Sequence, residues 1–295
     1  MHNMDWDDLR VFLAAARAGA LLPAARRLGV DHSTVARRIS ALEAEIGAPL
    51  LDRSPRGVTL TAAGAAILEN AERMEAEALA VASRLGAAAG TAGAVRLATP
   101  EAFGAYLVAP AVPLLYEKHP HLQLELLPEA RVVNLTKREA DLAVALNPPT
   151  HGRLYAQKLV DYRLGLYAAR SYIKEAGPVR DIDDLRQRPL VWYVDELLDV
   201  PELRYLETVA AGVRTAFRST SVVAQYAAVS AGFGIGVLHA FVADKDPDLV
   251  PVLPRTVAIK RSYWLLTHAD QRDLPRIRAV AEFLQSLVRR ERGRF

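Results

Sequence analysis

The sequence predicts an α + α/β chain: a small helical head closed by a hairpin, a long helix, and a larger α/β domain. Three observations predict it. From Asp7 to Ile46 apolar residues recur at three- and four-residue spacing between glycines, Thr61 to about Ala88 is a long alanine-rich stretch, and from Ala94 onward short apolar runs alternate with helical ones. The 295 residues fit two domains, the second subdivided, at about 150 residues per domain. A composition of 51% hydrophobic and 24% charged residues excludes wholesale disorder, and a chain of this length buries a core without staples. The absence of cysteine excludes a disulfide scaffold, a Cys-ligated zinc site, an iron–sulfur cluster and a thiol nucleophile.

The head reads as three short helices. Leu9, Phe12, Leu13 and Ala16 line the first, over Asp7 to Ala18, which Gly19 ends. Leu22 to Leu28 forms the second, with Gly29 as its C-cap. Asp31 stands at the N-cap of the third, whose buried stripe is Val35, Ile39, Leu42 and Ile46, and Gly47 closes it. Leu50 to Leu60, interrupted by Arg53-Ser54-Pro55-Arg56-Gly57, reads as a hairpin.

In the long helix, Gly64, Ala71, Ala78 and Leu85 alternate with Ile67, Met74 and Val81 as a heptad seam, so two such helices pair closely. The alternative is one amphipathic helix lying on its own domain. Gly86, Gly90 and Gly93 mark a hinge. Beyond it, strand-like runs occur at Val95/Leu97, Leu122/Leu124/Leu126, Leu142 to Leu146, Leu164/Leu166, Leu190 to Tyr193, Val213 to Phe217 and Tyr263 to Thr267. Helical stretches at Ala102 to Lys118, Thr220 to Ala231 and Leu274 to Arg290 separate or follow them, which predicts largely parallel pairing in two sheets of about five strands each. Ser219 to Ala243 lacks Asp, Glu, Lys and Arg, but its hydroxyls and Gly232, Gly234 and Gly236 suit a buried helix, a glycine turn and a buried strand better than a membrane span. With acids at Asp5, Asp7 and Asp8 and no apolar leader core, a soluble cytoplasmic protein is expected.

A net charge of +3 permits nucleic-acid binding without arguing for it; placement argues more. Every basic residue before Lys118 is arginine, and several cluster between Arg26 and Arg56. A short helix, a tight turn and a second helix with His32, Ser33, Thr34, Arg37 and, obliquely, Arg38 on its open side is helix-turn-helix geometry. Short polar groups at the helix start suit phosphates, and arginine one turn on reaches base edges. Arg53 and Arg56 at the hairpin tip suit phosphate or minor-groove contact. The alternative is a solvated polar face on a small bundle.

The runs Leu9-Arg10-Val11-Phe12, Ala24-Ala25-Arg26-Arg27-Leu28-Gly29-Val30, Ser33-Thr34-Val35-Ala36-Arg37-Arg38-Ile39 and Leu42-Glu43 resemble the LysR-type transcriptional regulator family. So do Pro49-Leu50-Leu51, Arg53, Arg56-Gly57, Leu60-Thr61 and Gly64, and more loosely Ala94-Val95-Arg96-Leu97 and Ala231-Gly232-Phe233-Gly234-Ile235-Gly236, so the likeness covers essentially the whole chain. His32 stands where glutamine is common, Ala36 where serine is common and Leu51 where phenylalanine is frequent; the hydroxyl lost at Ala36 is worth about 1 kcal/mol.

The resemblance implies a winged helix-turn-helix over 1–60, a dimerising linker helix and hinge over 61–92, and an effector domain over 93–295 resembling periplasmic binding proteins. Its two α/β lobes are expected at about 93–163 with 268–295, and at about 164–267. The expected function is sequence-specific transcriptional regulation controlled by a small molecule bound between the lobes. Expected partners are double-stranded promoter DNA, the effector, further copies of the chain as a dimer of dimers, and RNA polymerase; no cofactor, metal or membrane partner is expected.

The family's cleft matches Thr99, Pro100 and Glu101 after one strand, Thr220 and Ser221 at a helix start, and the strand ends at Pro128 and Asn147. Free N–H groups and hydroxyls there favour an anion, whereas Glu101 favours an amine or a hydroxyl. Each Ser or Thr, taken alone, also reads as an ordinary N-cap. No Gly-x-Ser-x-Gly elbow, Walker loop, HExxH or dinucleotide fingerprint supports an enzyme, and His119 and His121 lack neighbouring ligands. A solute-binding protein leaves the Leu21–Ile46 constellation unused.

Overall fold

The fold is that of a computed structural model, which describes residues 5–54, 57–86, 91–128, 139–149, 154–198 and 212–295. Two compact units divide it, Met1–Ala89 and Gly90–Phe295.

In the first unit, α1 (Trp6–Ala18), α2 (Leu21–Leu28) and α3 (His32–Ile46) each end on a glycine with positive φ. Gly47, at φ 75°, returns its N–H to the Glu43 carbonyl and stops α3. Asp31 occupies the N-cap of α3 in extended conformation, but its carboxylate makes no capping bond. The expected stripe is the core: Leu9, Phe12 and Leu13 from α1, Ala24 and Ala25 from α2, and Val35, Ile39 and Leu42 from α3 are fully buried together.

The hairpin pairs β1 (Leu51–Ser54) with β2 (Gly57–Leu60), Leu51 opposite Leu60. It is fixed at both ends. The Val58 N–H donates to the Gly19 carbonyl at 2.8 Å, and a Cβ on Gly57 would lie 2.4 Å from that oxygen. The long helix α4 (Ala62–Gly86) starts on Thr61, whose hydroxyl donates to the Pro49 carbonyl and accepts from the Gly64 N–H. Ala71 joins the core, with Ile67 and Leu68 against it, while Met74 is exposed. The first half of the expected seam therefore packs on its own unit. The side chains of Val81 and Leu85, and hinge residues 87–90, lie outside the described residues.

The second unit is one nine-stranded sheet among the described residues, eight strands in the order β4-β3-β5-β11-β6-β9-β7-β8 and β10 off that path beside β6. The strands are β3 (Gly93–Thr99), β4 (Leu122–Pro128), β5 (Leu142–Ala145), β6 (Leu154–Ala169), β7 (Leu190–Trp192), β8 (Thr215–Arg218), β9 (Ile235–His239), β10 (Leu249–Val252) and β11 (Ala258–His268). This corrects the expectation of two separate, largely parallel sheets. β3, β4 and β5 run parallel on one side and β7, β8 and β9 on the other, but antiparallel β6 and β11 pair along their length and join the two halves.

Helix follows β3 at once. It runs as α5 (Glu101–Phe103), a π-turn (Gly104–Val108) and α6 (Ala109–Lys118). Pro110 supplies no N–H and its ring crowds the carbonyl four residues back, so the ladder widens and the Ala109 N–H reaches the Gly104 carbonyl. The helices α7 (Arg170–Ala176), α8 (Ile182–Arg186), α9 (Val222–Ser230), α10 (Ala240–Ala243) and α11 (Pro275–Arg290) complete the unit. Between the halves runs an aromatic file. Phe103 meets Tyr263 edge-on at 4.8 Å, Tyr263 stacks on Tyr162 at 4.0 Å, and Tyr162 faces His239 at 5.5 Å. No described helix is long and apolar enough to cross a membrane.

Candidate functional site

The buried stripe of α3 leaves its other side free, and on that side His32, Ser33 and Arg37 are exposed and Thr34 is half-buried. Arg53 reaches back from β1 to the same helix. Its guanidinium donates to Ser40 Oγ at 3.3 Å and lies 3.7 Å from a Glu43 oxygen. Glu43 is the fastening between helix and hairpin, since its Oε1 accepts the Leu50 and Leu51 N–H groups at 2.9 and 3.1 Å. Arg56 lies outside the described residues.

Arg38 departs from the expected arrangement. Its guanidinium is bound to Asp7 and lies 3.4 Å from Asp8, both in the first turn of α1. The carboxylates of Asp7 and Asp8, read in the sequence only as acids at the chain start, thus orient α3 against α1. A second ion group, unanticipated from sequence, holds α4. Arg17, its side chain only 6% exposed, lies 2.9 Å from Glu75 and 3.5 Å from Glu72. Burial lowers the Arg17 pKa, and the charge of Glu72 opposes that shift.

In the second unit the expected cleft residues come from both halves of the sheet. Thr99 is 3% exposed, and its hydroxyl has no hydrogen-bond partner among the described residues. It lies so close to Gly104 that a Cβ there would fall 2.4 Å from Oγ1 and 3.0 Å from the Pro128 Cβ. Pro128, Asn147 and Thr220 are exposed, and Pro100 is half-buried.

Glu101 and Ser221 meet directly. Ser221 Oγ donates to one Glu101 oxygen at 2.8 Å, and the Val222 N–H donates to the other at 2.5 Å. Ser221 is also the N-cap of α9, accepting from the Ala224 N–H at 3.2 Å, so the capping reading holds for it. Tyr106 and Tyr226, with ring centroids 5.6 Å apart, make a second contact between the halves. Burial and then the Glu101 charge raise the Tyr106 pKa. Among the described residues no three His, Asp or Glu side chains converge as a metal site.

The bacterial regulatory helix-turn-helix model of the lysR family matches residues 6–65, and the LysR substrate binding domain matches residues 88–289. The chain belongs to the LysR family of transcriptional regulators. It is 30% identical over 285 residues to the Mau operon transcriptional activator of Paracoccus denitrificans, covering 96% of each chain. Its fold is similar to that of CrgA, a LysR-type transcriptional regulator from Neisseria meningitidis (TM-score 0.60, 24% identity, 95% of this chain and 97% of that one). It is also similar to full-length CbnR complexed with target DNA (TM-score 0.54, 23% identity, 96% of this chain and 100% of that one). LysR proteins are regulators with a helix-turn-helix DNA-binding domain and an effector-binding domain, and this chain is one of them rather than an enzyme.

Proposed function

We propose that α3 is the recognition helix of a promoter-specific regulator, with Arg37 reading base edges and His32, Ser33 and Thr34 contacting bases and phosphates at its N-terminus. The observation that carries this reading is the division of α3 into a fully buried stripe and an exposed side bearing Arg37. Arg53, with Arg56 beside it in the sequence, contacts phosphate. Arg38, engaged by Asp7 and Asp8, contacts DNA less and orients the helix more. CbnR, of similar fold, is complexed with its target DNA, which supports the reading of this chain as a DNA-binding protein.

The regulator works as a dimer of dimers paired through the later turns of α4, where Met74 and Ala78 are exposed, and meets RNA polymerase at promoters in the cytoplasm. Residues 1–60, 61–92 and 93–295 act as reading head, linker and effector domain, the last with lobes at about 93–163 with 268–295 and at about 164–267. The effector lies between the lobes, among Thr99, Pro100, Glu101, Pro128, Asn147, Thr220 and Ser221; the buried, unpartnered Thr99 hydroxyl supports that placement.

A titration at two salt concentrations tests the head, using DNA upstream of the protein's own gene and a scrambled control. A preference above about a thousandfold is expected. Arg37→Ala lowers that preference, whereas Arg56→Ala weakens both DNAs alike and flattens the salt dependence. Equal losses on both DNAs for Arg37→Ala remove its base-reading role. The cleft is tested with a compound found by thermal-shift screening, whose stabilising effect is lost in Thr99→Val.

A further inference from the structure

The N-terminus of α9 is where a ligand carboxylate would be expected to bind, because a helix start carries partial positive charge and free N–H groups. In this chain the Val222, Ala224 and Gln225 N–H groups are already used. Both oxygens of Glu101, from the opposite half of the sheet, take the Ser221 hydroxyl and the Val222 N–H, and Ser221 Oγ takes the Ala224 N–H. The Gln225 side chain and the Ser221 N–H are turned to Ser219, at 2.7 and 3.1 Å, so the Val222, Ala224 and Gln225 N–H groups and the side chains around them are held from within the chain.

An anion tethered by its own backbone competes at an effective concentration of about millimolar or more, and an incoming carboxylate also meets its like charge. Glu101 has lone pairs to spare, since an ionised carboxylate accepts about four hydrogen bonds and, among the described residues, Ser221 and Val222 donate two. We propose that Glu101 is the specificity-determining residue of the effector cleft: it bars carboxylate groups from the start of α9 and receives the effector through a hydroxyl or amine donor. The proposal rests on the reading that the effector binds between the lobes.

Thermal unfolding of the full chain in sodium acetate, against sodium chloride at equal concentration, tests it. Acetate leaves the wild type where chloride leaves it. In Glu101→Ala the vacated helix start takes acetate, and Tm rises by about 2–4 °C over chloride. Adding Ser221→Ala removes the rise. Glu101→Gln, which keeps the shape and drops the charge, shows a smaller rise and serves if the alanine variant does not fold. A rise in the wild type equal to that in the variants overturns the proposal, as does its absence from folded variants. Neither result touches the cleft itself, which fails separately if the screened compound stabilises the wild type and Thr99→Val alike.

Discussion

The two helix starts assigned to ligand recognition are built in opposite ways. Around α3 the chain spends its neighbouring charges on position: Glu43 holds the hairpin, Asp7 and Asp8 hold Arg38, and Glu72 and Glu75 hold Arg17. The groups left over, with Arg37 foremost, point outward. At α9 the outward-facing groups are themselves the fastening, because Ser221 and Glu101 bind each other across the sheet. On the proposed reading, a site for a polyanion is held ready with an Arg37 unengaged among the described residues, whereas the proposed small-molecule site has its polar groups bound to one another.

The contrast breaks most severely at Arg17. Arg17→Ala removes a guanidinium only 6% exposed from its contacts with Glu72 and Glu75, and unfolding free energy measured in urea falls by about 3–5 kcal/mol. Glu43→Ala is the next largest effect. It strips the Leu50 and Leu51 N–H groups of their acceptor, which costs about 1–3 kcal/mol and reduces DNA affinity while Arg37 stays in place.

The second unit carries a pH dependence of its own. Burial pushes the His239 pKa down from 6.5 to about 3, so below about pH 6.5 the unfolded chain binds a proton that the folded one refuses. Stability then falls with decreasing pH between those values, by up to about 1.4 kcal/mol per pH unit, and is flat above them. His239→Phe, which keeps a ring against Tyr162, flattens the profile in a denaturation series from pH 7 to pH 4. The smallest effect is at Asp31. Because its carboxylate makes no capping bond, Asp31→Ala changes stability by a few tenths of a kcal/mol, less than the value of about 1 kcal/mol for a working cap.

The head was legible because its signals are local. Glycine stops at Gly19, Gly29 and Gly47 and an apolar stripe at Val35, Ile39 and Leu42 are properties of adjacent residues, and the helices follow them within a residue. The second unit was less so. Only Leu164 and Leu166 stood out from β6, since its first half mixes exposed residues such as Gln157, Lys158 and Asp161 with half-buried ones and shows no strict alternation. β10 is four residues with a proline at an exposed position, too short for periodicity to register.

By itself the sequence determined which face of α3 is buried, where its helices stop, and that the chain pairs a reading head with an α/β domain of the LysR kind. Helical periodicity and left-handed glycine caps depend on residues within a few positions of one another. Only the tertiary structure decided that β6 and β11 knit both halves into one sheet, that Arg38 turns to Asp7 and Asp8, and that Glu101 occupies the start of α9. Glu101 and Val222 stand 121 positions apart, and no local pattern encodes a bond between groups that only folding brings within reach.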